Sequence, residues 1–311
     1  MVRRVIGQED MFGAERRVPT DLDELAVLID WDATDALMSG ISSSSKGEQG
    51  WPPLCLFKAM VLGCWYDLSD VKLAEALDDR ASFRRFCGFS RNEPTPERTA
   101  FVRFRKTLVE LQLSNALFDT LTKQLKTRHI TVKTGTLIDA TIIASASKKD
   151  GQAKWVKHKN RKAVHGYKAH VAADEGSDLI EKIGVTPANV NDGKAGCAIV
   201  PDDPGLTYAD SAYRGPRFSA AVEQKGGTAC VVITHVWAKS QEEARIKLRQ
   251  INQPIHKVRG KIEKIFGTCK RSYGLTRMNC LGLAKAELQV ALTAMAYNLK
   301  RGLSLERAKT A

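Results

Sequence analysis

Residues 136–144, TLIDATIIA, decide the fold. The stretch is short, apolar and rich in β-branched residues, and a glycine precedes it, so it reads as a strand. It also marks a change of periodicity near residue 130. Beyond it, KAVHGYKAHVAAD (162–174), LIEKIGVTPA (179–188), LTYAD (206–210) and TACVVITHV (228–236) have the same character. A helical pattern occupies about 215–225, and helical stretches run from 240 onward. Strands first in a meander and then alternating with helices predict a mixed β-sheet flanked by helices, an α+β or α/β class.

Upstream, the periodicity is helical. Residues 1–20 read as a flexible polar tail, 21–38 as a helix and the Ser/Gly-rich 39–50 as a loop. A helix starts at the proline pair Pro52-Pro53. Another spans 69–79 with Ser69 or Asp70 as its cap. ASFRRFCGF follows, and then a longer helix over about 97–127. The expected organisation is a tail (1–20), an all-helical N-terminal domain (21–128), a sheet-bearing domain (130–303) and a short tail (304–311). Such a helical module suits DNA binding or assembly, and it is equally an economical way to make a small core.

The chain has 311 residues and is 43% hydrophobic, enough for a sizeable core. No apolar run approaches the roughly 18 residues of a membrane span, and the N-terminus is too charged for a signal peptide. No membrane partner and a cytoplasmic location are therefore expected. The seven cysteines form no CxxC pair and read as free thiols, not as a zinc site.

The net charge of +13 points to a polyanionic partner, nucleic acid before acidic membrane. Its distribution is uneven. Residues 148–168 carry Lys148, Lys149, Lys154, Lys157, Lys159, Arg161, Lys162 and Lys168 against a single acid, Asp150. The stretch 145–165 reads as a DNA-contacting loop or, alternatively, a solvated hairpin. Residues 257–277 hold seven cations and one acid, Glu263.

Three acids stand out. Asp139 lies inside an apolar strand, where a charge is costly unless paired or bound to metal; a strand-end cap is the other reading. Asp210 closes a second strand just before Arg214-Gly215, where strand-end acids also form turns. Open α/β sheets place ligands at such carboxyl ends. Glu263 sits in a helical pattern. At about 100° per residue, His256, Arg259, Glu263 and Lys270 fall within roughly 60° of one another. Val258, Ile262, Ile265, Phe266 and Cys269 form an adjacent apolar stripe. The plain alternative is an amphipathic helix with an Arg259–Glu263 ion pair. Trp237 reads as a core or interface side chain, or as a platform for a base.

His256-x2-Arg259-x3-Glu263-x6-Lys270, with Asp139 and Asp210, resembles the signature of the DDE transposases of bacterial insertion sequences, Tyr-x2-Arg-x3-Glu-x6-Lys. GTLIDATIIAS, HGYKAHVAADEG, VTPANVND and YADSAYRG are similar to successive blocks of the insertion-sequence-five type, within the insertion-sequence-four superfamily. Residues 52–107 look like that group's N-terminal domain. The resemblance runs from about 25 to 302. It implies a ribonuclease-H-like catalytic core in which Asp139, Asp210 and Glu263 hold two Mg2+ ions, with Mn2+ as a substitute. It implies DNA partners, both terminal inverted repeats and target DNA, a homodimer on that DNA, and nucleoid association in a bacterial cytoplasm. Arg259, Lys270, His256, Arg214, Trp237 and the basic residues Lys157, Lys159, Arg161, Lys162 and Lys168 are the implied DNA contacts. His256 departs from the usual tyrosine. Only 52 residues separate Asp210 from Glu263, too few for the β-rich insertion of some relatives. A catalytically silent DNA-binding relative acting as a repressor is the competing reading, and a general nuclease of the same fold is a third.

Overall fold

The computed structural model describes residues 7, 19–41, 50–129, 133–157 and 162–310. The expected N-terminal tail falls almost wholly outside them, as does the loop over 42–49. The chain forms two compact units.

The first unit spans residues 1–125, 272–274 and 291–311. Its helices are α1 (Asp21–Leu28), α2 (Trp31–Leu37), α3 (Pro53–Trp65), α4 (Asp70–Asp79), α5 (Ala81–Cys87), α6 (Arg98–Glu110) and most of α7 (Ser114–His129). The helix expected over 21–38 is two. Ile29 is extended, and the Asp30 carboxylate accepts from the N–H groups of Asp32 and Ala33, which starts a new helix at Trp31. The helix expected over 97–127 is also two. Gln112 takes left-handed backbone at φ 52°, its N–H returns to Val109 and that of Leu113 to Leu108, a closure that satisfies the last carbonyls of α6. Asp67, at φ 51°, ends α3 in the same way. Ser69 caps α4 through Lys72 N–H. Phe57, Leu62, Leu73, Leu77, Phe83, Phe101 and Phe118 are fully buried and form the core of this unit.

The second unit spans residues 126–271 and 275–290. It carries β1 (Gly135–Ala144), β2 (Lys154–Val156), β3 (Val164–Asp174), β4 (Ile180–Pro187), β5 (Leu206–Ala209) and β6 (Thr228–Val231). With them are a short α8 (Asp192–Gly196), α9 (Pro216–Glu223) and the long α10 (Gln241–Ser272). Helix α11 (Leu283–Thr310) begins here and continues into the first unit.

One sheet runs β4–β3–β1–β5–β6, with β2 continuing the β4 edge of β3. The β4–β3–β1 half is antiparallel, and β1–β5–β6 is parallel. Ile138, Ala209, Tyr213, Phe218 and Val222 pack together beneath the parallel half. Strand β6 stops at Val231, short of the expected 236. The amide side chain of Asn252, on α10, bonds both the N–H and the carbonyl of Ile233 and so removes these groups from the ladder. The basic stretch 145–165 contains β2, which pairs with β3 as a hairpin, and residues 158–161 of it lie outside the described residues. On α10, the expected stripe residues Ile262, Ile265, Phe266 and Cys269 are buried. Pro254 lies within this helix and leaves the Gln250 carbonyl without its usual donor.

Candidate active site

The parallel register sets the site. Ile138 of β1 pairs with Ala209 of β5, so the next residue of each strand, Asp139 and Asp210, emerges at equivalent positions. Neighbouring strands lie about 4.8 Å apart. The two carboxylates are thus side by side where β5 ends and β1 continues.

Arg259 of α10 joins them. Its Nη2 donates to Asp139 Oδ2 at 2.9 Å, and its Nη1 lies 3.7 Å from Asp210 Oδ1. The other oxygen of Asp139 accepts from Ala140 N–H at 2.8 Å, and Asp210 Oδ1 also accepts from Ser211 N–H at 2.6 Å. Burial pushes the Asp139 carboxyl above the usual aspartate range. Arg259 and the Ala140 N–H act the other way, and the Asp210 charge adds to the rise. The guanidinium is largely buried, and its Nε is without a hydrogen-bond partner. The Tyr213 hydroxyl, in the turn after Asp210, is likewise buried without a partner.

Glu263 lies one turn beyond Arg259 on α10, exposed to solvent. Arg259 pairs with the two aspartates, not with Glu263. Among the described residues no three His, Cys, Asp or Glu side chains stand close enough together to hold a metal ion. Asp139 and Asp210 are brought together through Arg259. Two carboxylates sharing one cation within 4 Å are nevertheless hard oxygen donors of the kind Mg2+ takes.

The expected DNA contacts divide. Lys270 donates to the Ile142 carbonyl of β1 at 3.1 Å and so ties α10 to the strand of Asp139. Lys168 is buried, bonded to Asp192 at 2.7 Å and to the Val190 carbonyl at 2.8 Å, so its ammonium is held inside the protein and not presented at the surface as expected. Arg214 is exposed and bonds the Thr234 hydroxyl. His256, Lys157 and Lys162 are exposed, whereas Lys159 and Arg161 lie outside the described residues. Trp237 is 80% exposed, so of the expected readings the core one is corrected, while those of an interface side chain and of a platform for a base are not. Trp155, at 55% exposed, was not singled out in the sequence, although an indole within a run of lysines was a signal that could have found it.

A family model described as "Transposase DDE domain" matches residues 130–299. The chain belongs to the DDE transposase family. A second model, "Transposase domain (DUF772)", matches residues 12–107. Membership supports DNA transposition as the activity and implies use of a divalent metal in general terms. Among solved structures, the chain is similar to the piggyBac transposase synaptic complex with hairpin DNA, with a TM-score of 0.52 and 11% identity over 93% of this chain and 74% of that one. That likeness speaks for a shared mixed α and β fold. The Mos1 transposase paired-end complex aligns with 14% identity over 76% of this chain and 86% of that one, but its TM-score of 0.22 carries no structural argument. No helix of the described residues is long and apolar enough to cross a membrane.

Proposed function

We propose that this DDE family member cuts DNA at transposon terminal inverted repeats and joins the freed ends to target DNA. The observation that carries the reading is the parallel β1–β5 register, which sets Asp139 beside Asp210 within reach of Arg259. The strand order, three antiparallel strands followed by two parallel ones, supports a ribonuclease-H-like core, and the sequence blocks around Asp139 and Asp210 support the insertion-sequence-five type.

Asp139 and Asp210 would hold the divalent ions, two Mg2+ replaceable by Mn2+, with Glu263 as the third carboxylate. Bound ions would supply an activated water, and later an activated 3′-hydroxyl, and would neutralise charge at phosphorus. The residues themselves orient the reactants. Arg259, with its planar fork, is suited to a phosphate once it leaves the aspartates. Lys270 fixes α10 against β1. The helices of 21–128 would bind the repeats and help pair two copies on DNA, and 130–303 would carry the chemistry. Lys157, Lys162, Arg214, His256 and Trp237 are exposed and suited to track the DNA.

The second reading is a silent relative that binds DNA and represses transposition. What favours it is that a protein cation, Arg259, occupies the space between the two aspartates. One assay decides between them. End-containing DNA is incubated with Mg2+ and the chain or its Asp139→Asn variant, and nicked and joined products are scored. Nicks that vanish in the variant support the transposase; binding without nicks by the unsubstituted chain supports the repressor. Cutting without preference for ends and without joined products would indicate a general nuclease.

A further inference from the structure

Beyond Asp139, β1 continues to Ala144 and opens on a cleft of about 340 Å³ built around the β2–β3 hairpin. Trp155 of β2 projects there and is 55% exposed. Its ring lies against His165 of β3, centroids 5.2 Å apart, and His165 Nε2 bonds the Ala153 carbonyl. Val164 completes an apolar wall, and Lys148 and Arg277 bring positive charge to the rim. Arg277 is fixed in place by the carbonyls of Ser145 and Ala146.

Asp150, the nearest acid in sequence, does not line the cleft. It is buried, and its carboxylate accepts from the Ser145 and Tyr167 hydroxyls and from the Gln152 and Gly282 N–H groups. An exposed indole held in position, beside a second ring and under cations, has the chemistry of a stacking platform for a base attached to a phosphate backbone. An apolar protein segment would gain nothing from the two cations. A perfect duplex keeps its bases stacked and out of reach.

We propose that the Trp155–His165 cleft receives a single nucleobase displaced from the DNA stack. The five residues from Asp139 to Ala144 span about 16–17 Å at about 3.3 Å each. The cleft therefore begins about that far along β1 from Asp139. The inference rests on the transposase reading for its DNA partner, but its test does not depend on cleavage.

Labelled short duplexes, one perfect and one with a single bulged base, are titrated with the full chain in EDTA, and the affinity ratio is read by fluorescence anisotropy. Stacking is worth about 1–3 kcal/mol per base. A preference for the bulged duplex that falls about 5- to 150-fold in Trp155→Ala, and largely survives in Trp155→Phe, supports the cleft. Absence of any preference, or an equal loss on both duplexes in Trp155→Ala, overturns it. Thermal melting of both variants separates a folding defect from a lost platform, since Trp155→Phe retains the ring. Failure of the transposase reading shows independently, as absent metal-dependent nicking in the assay above.

Discussion

Arg259 and Asp139 stand 120 residues apart in sequence and are joined by an ion pair of 2.9 Å. The pair holds α10 against β1, and it places a protein cation where the reading above requires metal ions. Arg259 thus keeps two neighbouring carboxylates compatible with each other.

Removal of that guanidinium leaves the half-buried Asp139 beside Asp210 with no counter-charge. Arg259→Ala is expected to destabilise the fold by about 1.5–3 kcal/mol, read by chemical denaturation. In the same variant, Mg2+ affinity measured by calorimetry should rise, because the ions no longer compete with the side chain. A variant with unchanged stability and unchanged metal affinity would show that the ion pair is incidental. Arg259→Lys should restore little, since a point charge cannot reach both carboxylates as the fork does.

Asp139→Asn separates chemistry from folding. The amide keeps an acceptor for Ala140 N–H and removes a half-buried charge whose carboxyl already sits above its ordinary range. Cleavage of end DNA should fall by about 10³-fold, while melting temperature and end binding stay close to those of the unsubstituted chain. Retained cleavage would remove Asp139 from the site.

The sheet was largely legible because its strands are β-branched runs broken by turn residues, and the aspartates were legible as charges where apolar strands continue or end. What was illegible is what tertiary contacts decide. Gln112 ends α6 in a left-handed conformation usually given to glycine, so nothing in 97–127 announces a break. Asn252 ends β6 from a helix twenty residues away. Lys168 looked like one more cation of a basic run, but Asp192 takes it inside. The helical spacing of Arg259 and Glu263 was right, yet spacing on one helix cannot say that the guanidinium turns to the sheet and the carboxylate to solvent.

Gln112 yields a direct test of that break. A non-glycine residue in left-handed backbone costs about 1 kcal/mol or more. Gln112→Gly should therefore stabilise the chain by about 0.5–1 kcal/mol, visible as a higher denaturation midpoint, with no effect on DNA cleavage. A loss of stability would mean that the Gln112 side chain contributes more than its backbone strain removes.

His170 supplies the pH dependence. It is buried on β3, its Nε2 meets the Thr186 hydroxyl at 2.8 Å, and Nδ1 is without a partner. Burial drives its pKa down from 6.5 to about 4; the Asp192 charge opposes this and Lys168 assists it. The unfolded chain therefore binds a proton that the folded chain refuses between those values. The contribution of His170 to stability is full above about pH 6.5, declines as the pH falls, and is flat below about 4. His170→Gln keeps a hydrogen-bond partner for Thr186 but cannot titrate. Denaturation midpoints measured across this window should fall with acid more steeply in the unsubstituted chain than in the variant. Parallel curves would place the titration elsewhere, among the carboxylates that both proteins share.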